Sequence, residues 1–222
     1  MKPPLLTSSI QEHGIQHLIW SSLLDVNKLT SGKFAKVYHF DSKAAVETYI
    51  GELGIPATFY LPGFYMSNAP SFIRPSPPDN AYTLFLPMSP DTPIPMFAAE
   101  QDTGKFVKAV LKNRQALLGK RIYAATAYYT PNDFIAAFKK AFPEAGKTAK
   151  FVQVSKEQYM GALAGAGMPE KAQEELAENM MFMGEFGYYG GEGLEESLKY
   201  LEEKPTELEP YVASYKGFKD LK

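Results

Sequence analysis

Apolar and polar positions fall into blocks that read strand, helix, strand along the first third of the chain. His17-Leu18-Ile19-Trp20 is a short apolar run closed by Ser21-Ser22, which predicts a strand over 17–21. Ahead of it, Leu5, Leu6 and Ile10 have helical spacing, and Gly14 stands where a helix usually stops in the left-handed conformation. Asp25 to Gly32 reads as a polar loop. From Asp41 to Leu53 the residues Ala45, Val46, Tyr49, Ile50 and Leu53 recur at three- and four-residue steps, and Gly54 ends the helix. Ala57 to Leu61 then collects β-favouring residues before Pro62-Gly63. A run without alternation fits a strand buried on both faces, hence a parallel one.

The middle of the chain changes character. Pro75, Pro77, Pro78, Pro87, Pro90, Pro93 and Pro95 crowd the stretch from Phe72 to Asp102, which favours loops and short edge strands over a central sheet. Tyr82 to Leu86 can pair as a strand within it. A helical pattern resumes from Asp102 to Arg114, and Arg121 to Ala125 is a further strand. Thr130-Pro131-Asn132-Asp133 marks a helix start, with a capping hydroxyl, a first-turn proline and an acid at the third position. Phe151 to Val154 is the next strand, and Ser155 with Gln158 can form a capping box behind it. Beyond Met168 the pattern is mostly helical, interrupted between Gly184 and Gly193. Met180, Met181 and Met183 with Phe182 and Phe186 form an apolar cluster, read as core packing ahead of a partner-binding surface. The acidic run from Glu192 to Glu203 reads as a solvated helix face.

Composition narrows the function classes. The chain has 222 residues, 45% of them hydrophobic and 22% charged, with a formal net charge of −2. That is enough apolar content for a real core, and too little positive charge for direct nucleic-acid binding. The absence of cysteine removes disulfides, thiolate metal sites and cysteine nucleophiles, and it fits an intracellular protein. No run approaches the roughly 18 apolar residues of a membrane span, so no membrane association is expected. His13, His17 and His39 have no metal-ligand spacing, and no metal is expected.

One constellation carries chemistry. Two hydroxyls end the first strand, and His39-Phe40-Asp41-Ser42-Lys43 opens the following helix, so histidine and lysine share a face one turn apart. This placement, at the carboxyl edge of a parallel strand, points to a dinucleotide. No glycine-rich phosphate loop precedes it. Gly161, Gly165 and Gly167 do not replace that loop, because they lie in a helix-like stretch with no nucleotide-binding strand before it.

His39 to Lys43, Leu61-Pro62-Gly63-Phe64-Tyr65-Met66-Ser67-Asn68, Tyr128-Tyr129-Thr130-Pro131 and Phe186-Gly187-Tyr188-Tyr189-Gly190, in that order, resemble the NmrA-like family, an atypical branch of the short-chain dehydrogenase/reductase superfamily. The resemblance covers essentially the whole chain. It implies an α/β fold: an NAD(P)-binding, Rossmann-like parallel sheet, truncated at its N-terminal side, with a smaller, largely helical C-terminal domain. The expected division is residues 1–72 as the carboxyl half of the Rossmann-like domain. Residues 73–222 form the remainder, sharing its core. By the same resemblance, roughly a hundred residues of βα units are absent from the front.

The superfamily's enzymes use a Tyr-x-x-x-Lys pair with a nearby serine to move a proton at the substrate oxygen. Here His39 stands in the tyrosine place and Lys43 in the lysine place, with Ser22 as the serine candidate. Histidine can exchange a proton near neutral pH but does not reproduce a phenol, so the resemblance implies a poor or inactive dehydrogenase. Lys43 would contact the nicotinamide ribose, and Phe64, Tyr65 and Asn68 the nicotinamide end. The competing readings are a locally bonded helix-start histidine, a solvated lysine, a serine that merely ends a strand, and aromatic rings packed into the core. The implied function is an NADP- or NAD-binding redox-sensing regulator of the cytoplasm or nucleus, acting through a protein partner. Its affinity should be weak for want of a phosphate loop. The alternative is an NADPH-dependent oxidoreductase acting on a small carbonyl or quinone-like metabolite.

Overall fold

The computed structural model describes residues 14–218 and residue 221, so the helix expected ahead of Gly14 lies outside the described residues. Gly14 itself has φ +60°. Three parallel strands lead the fold: β1 (Leu18–Ser21), β2 (Ala57–Pro62) and, later in the chain, a third at Arg121–Ala124. They lie in the order first, second, third, with Trp20 opposite Phe59 and Phe59 opposite Arg121. The strand read as buried and parallel is therefore the middle one, and its burial on both faces accounts for its lack of alternation.

Between β1 and β2 the chain forms α1 (Val26–Leu29) and α2 (Tyr38–Glu52). The expected polar loop thus contains one helical turn. Asp25 caps it by accepting from the Lys28 N–H at 2.8 Å, and Asp41 reaches over from α2 to accept from the Val26 and Asn27 N–H groups at 2.8 and 3.2 Å. That second cap, from a residue remote in sequence, supplies the acceptor that the local pattern lacks. Gly54, at φ +65°, ends α2 as expected.

After β2 the chain makes β3 (Phe64–Tyr65), a 3-10 turn (Met66–Asn68) and α3 (Ala69–Phe72), then β4 (Ile73–Ser76), β5 (Ala81–Leu86) and β6 (Ile94–Phe97). Helices α4 (Ala99–Lys112) and α5 (Arg114–Leu117) lead to β7, the third parallel strand, and then to β8 (Ala127–Tyr129). The rear comprises α6 (Pro131–Ala141), α7 (Pro143–Gly146), β9 (Lys150–Gln153), α8 (Lys156–Gly165), α9 (Glu170–Phe186), α10 (Glu195–Leu198) and α11 (Leu208–Ser214). Two further three-stranded sheets, β3-β6-β8 and β4-β5-β9, accompany the parallel one.

The proline-rich middle departs from expectation at β6, which carries Pro95 yet sits between two neighbours and is buried along its length. Its neighbours pair with it over only two and three residues, so the missing N–H removes one bond from an already short ladder. The acidic run also differs. Only Glu195–Leu198 is helical, while Glu202 and Glu203 reach the Lys112 and Lys108 ammonium groups of α4 at 2.6 and 3.0 Å. Just beyond, the fully buried Asp102 accepts from the Thr206 N–H at 2.8 Å and from its hydroxyl at 3.0 Å, which straps this segment to α4.

The predicted capping box of Ser155 with Gln158 forms, and the predicted Thr130 cap closes with Asp133 into a second one. Thr130→Ala is expected to lower stability by about 1 kcal/mol, the usual value of such a cap. A urea titration would register it as a lower midpoint at unchanged slope. The largest apolar cluster draws on both sides of position 72, joining Phe40 and Leu61 to Phe138 and Phe182. Met180 and Met183 are buried in the same cluster, as core packing requires. Among the described residues no helix is long and apolar enough to cross a membrane.

Candidate functional site

The carboxyl ends of β1 and β2 open onto a cleft of about 520 Å³. That is within the range of small-molecule sites, about 300–1,000 Å³. One wall is the first turn of α2. Val37 offers no side chain to cap that helix, and acids from α9 do so instead. Glu175 Oε1 accepts from the His39 N–H at 2.8 Å, and Glu178 Oε2 accepts from the Lys36 N–H at 2.8 Å. Negative charge at a helix N-terminus is favourable, and Glu174 adds an ion pair to the Lys36 ammonium at 2.6 Å. His39 Nδ1 lies 2.6 Å from the same Glu175 oxygen. Burial pushes the Asp41 carboxyl above its usual range, although the Asn27 and Val26 amides pull the other way.

One turn along α2, the Lys43 ammonium donates to the Ser21 carbonyl at 3.1 Å and reaches its hydroxyl at 3.4 Å. The serine beside the lysine is therefore Ser21, which lines the cleft. Ser22 is fully buried and donates instead to Glu47, whose other oxygen accepts from Arg121 Nε at 2.8 Å. Glu47 lies one turn beyond Lys43 on α2, so Ser22 faces the same helix but is taken up by this carboxylate and does not line the cleft with His39 and Lys43.

The second wall follows β2. Gly63 N–H donates to the Ala124 carbonyl at 2.9 Å, and a Cβ built on Gly63 would stand 2.4 Å from the Pro95 carbonyl oxygen. Glycine thus lets the strand end lie against β6. From there Phe64, Tyr65 and Asn68 line the cleft, as expected. Phe64 is buried and stacks on Phe72 with centroids 6.3 Å apart, while Tyr65 remains 40% exposed. Phe64 is both cleft wall and core, so the two readings of its ring coincide.

The third wall comes from the rear of the chain. Tyr188 lines the cleft and donates to the Pro62 carbonyl at 3.1 Å, and Tyr189 donates to the Leu61 carbonyl at 2.9 Å. Both rings are buried, which pushes their phenols well above the ordinary range. Asn179 of α9 also lines the cleft. It is 6% exposed, and its amide oxygen has no hydrogen-bond partner. A buried amide oxygen left unmet is costly, and a bound ligand is one way to meet it. In the sequence Asn179 is marked only as an amide set against the apolar run Met180–Met183.

His39, Lys43, Phe64, Tyr65 and Asn68 thus meet in one cavity, joined by Ser21, Asn179 and Tyr188. A basic group, hydroxyl and amide partners, and aromatic faces around an apolar floor can hold a polar ring and its sugar. Gly161 and Gly165 lie within α8 and form no strand-to-helix loop. His17 is engaged by Thr58, its Nε2 lying 2.8 Å from the hydroxyl. No cluster of metal-ligating side chains occurs among the described residues.

The chain is 32% identical over 148 residues to the nitrogen metabolite repression protein nmrA of Emericella nidulans, a match covering 64% of this chain and 41% of that protein. The Neurospora crassa protein nmr is 28% identical over 178 residues, covering 77% of this chain and 36% of its own. The chain therefore spans less than half the length of the curated relatives it matches. A solved structure of NmrA, a negative transcriptional regulator in complex with NAD, shares the fold with a TM-score of 0.76 and 26% identity, over 95% of this chain and 67% of that one. The same values hold for its complex with NADP. The parallel sheet, the cleft at its carboxyl edge and a match to the NmrA-like family over residues 4–214 agree: the chain belongs to that family.

Proposed function

We propose that the cleft takes the nicotinamide-ribose end of NADP(H) or NAD(H), and that the protein works as a dinucleotide-responsive regulator acting on a protein partner, in the cytoplasm or nucleus, without efficient turnover. The observation that carries this reading is the convergence of Lys43, His39 and the Phe64–Asn68 segment on one cavity. That NmrA has been solved with both NAD and NADP supports the choice of ligand. The names of the Emericella and Neurospora relatives support repression as the task. Lys43 would hold the ribose hydroxyls, Phe64 and Tyr65 would flank the nicotinamide, and Asn68 and Asn179 would meet polar edges. Among the described residues no segment lining the cleft is a strand-to-helix glycine loop for the pyrophosphate, so weak affinity is the expected result.

Calorimetry with NADPH, NADP, NADH and NAD tests the reading. Heat with at least one dinucleotide, and an affinity at least tenfold lower for Lys43→Ala, is the expected result. A hydrogen bond to a charged donor contributes about 1.5–3 kcal/mol, which is that factor or more. No heat with any of the four, or an unchanged Lys43→Ala affinity, sinks it.

A reductase acting on a small carbonyl or quinone-like metabolite is the second reading. It is favoured by the apolar end of the same cleft, where Phe72, Leu163, Met168 and Leu176 could receive a ring beside the nicotinamide. Oxidation of NADPH by a panel of such compounds, abolished in Lys43→Ala, would replace the regulator by this enzyme.

A further inference from the structure

Glu175 decides which nitrogen of His39 the cleft can use. Its Oε1 sits 2.8 Å from the His39 backbone nitrogen and 2.6 Å from His39 Nδ1. A carboxylate oxygen has no proton to give, so Nδ1 carries one whether the imidazole is neutral or charged. In the neutral ring the remaining nitrogen, Nε2, is then bare and can only accept. It makes no hydrogen bond to the described residues, and His39 lines the cleft. The carboxylate is itself held in register, because the adjacent Glu174 and the next-turn Glu178 of the same helix both engage Lys36.

We propose that Glu175 is a positioning residue that fixes His39 in the Nδ1–H tautomer, so that the cleft presents a hydrogen-bond acceptor at this point. Such a group suits a sugar hydroxyl. In this neutral state the nitrogen that faces the cleft carries no proton, so it accepts a hydrogen bond and donates none. Because Glu175 lies 136 residues downstream of His39, the arrangement ties α9 to the chemistry of α2. The ligand half of the proposal rests on the dinucleotide reading above; the tautomer half does not.

Long-range proton–nitrogen NMR spectra of the full chain, with the His39 signals assigned by loss in His39→Gln, report the tautomer directly. The expected wild-type spectrum, recorded where the ring is neutral, has Nδ1 protonated and Nε2 bare. Glu175→Ala should move the ring to the Nε2–H form that histidine adopts without such a partner. Glu175→Gln, whose amide oxygen still accepts, should keep the wild-type form. Glu174→Ala, which removes a Lys36 contact without touching His39, should leave the spectrum unchanged, whereas a structural role alone would move both alanine variants alike. If Glu175→Ala does not fold, the wild-type spectrum decides, and an Nε2–H form there overturns the proposal. NADPH affinity should fall about fivefold in Glu175→Ala, the value of one neutral hydrogen bond, and stay within about twofold in Glu175→Gln. Absence of NADPH heat in the wild type would remove the dinucleotide reading while leaving the tautomer result standing.

Discussion

Gly63→Ala is expected to destabilise the protein by about 3 kcal/mol. The added methyl would sit 2.4 Å from the Pro95 carbonyl oxygen, 3.1 Å from the Ala125 Cβ and 3.2 Å from the Tyr189 hydroxyl. The first of these is backbone in β6, a strand buried between two others, so it cannot swing aside as a side-chain tip would. Overpacking of this kind costs about 1–3 kcal/mol, more where the neighbours are rigid. At roughly 2–4 °C per kcal/mol for a chain of this size, the melting temperature should drop by about 6–12 °C. Gly63 also sets the direction of the turn that carries Phe64, Tyr65 and Asn68 into the cleft. Any folded fraction should therefore bind NADPH more weakly than the wild type does. Gly104→Ala is the control. It lies on α4 with nothing within 4 Å of the added methyl, and the helix propensity of alanine should raise stability by up to about 1 kcal/mol. Calorimetric melting of the two variants shifting in the same direction would refute the packing argument.

The parts of the fold that were legible in the chain are those whose signal is local. The β1 run, the periodic apolar face of α2, the unalternating β2 and the Thr130 and Ser155 caps each lie within a few residues of one another, and each forms where the pattern puts it. Strands β3, β6 and β8 escaped notice because runs of two to four residues are too short to display a period. In β6 the proline argued the wrong way as well. The site divides along the same line. Lys43 was placed by its four-residue step from His39, and Phe64, Tyr65 and Asn68 by the family resemblance of the segment after β2; all four line one cavity. The choice of Ser22 over Ser21 was off by one residue at the strand end, where Ser21 lines the cleft beside Lys43 and Ser22 is held by the half-buried Glu47. Asn179 and Tyr188 line the cleft, and Glu175 meets His39 at its rim, only through tertiary packing of the rear of the chain, so no spacing from α2 or β2 pointed to these roles.

The joint between the two ends of the chain predicts the largest single loss. Phe40 is 1% exposed, and its ring meets Phe182 edge-on at 5.6 Å and Tyr188 at 5.2 Å. It is flanked in sequence by His39, bound to Glu175, and Asp41, which caps α1. Phe40→Ala should cost about 3–5 kcal/mol, the range for deleting a buried aromatic ring whose surroundings relax only in part. Relaxation should be limited here, because Tyr188 is pinned to the Pro62 carbonyl and Phe182 belongs to a long helix. Phe40→Leu retains most of the apolar volume and should lose about half as much. The ring-on-ring geometry adds a coupling that area alone does not contain, about 0.5–1.5 kcal/mol for such pairs. Chemical denaturation of Phe40→Leu, Phe182→Leu and the double variant measures it. A coupling near zero would mean that α2 and α9 are joined by their ionic contacts at Lys36 and His39 and not by the rings. In that case high salt, which screens exposed ion pairs, should loosen the cleft as effectively as the substitution. With the rings as the joint, the cleft should hold its NADPH affinity across that salt range while Phe40→Ala abolishes it.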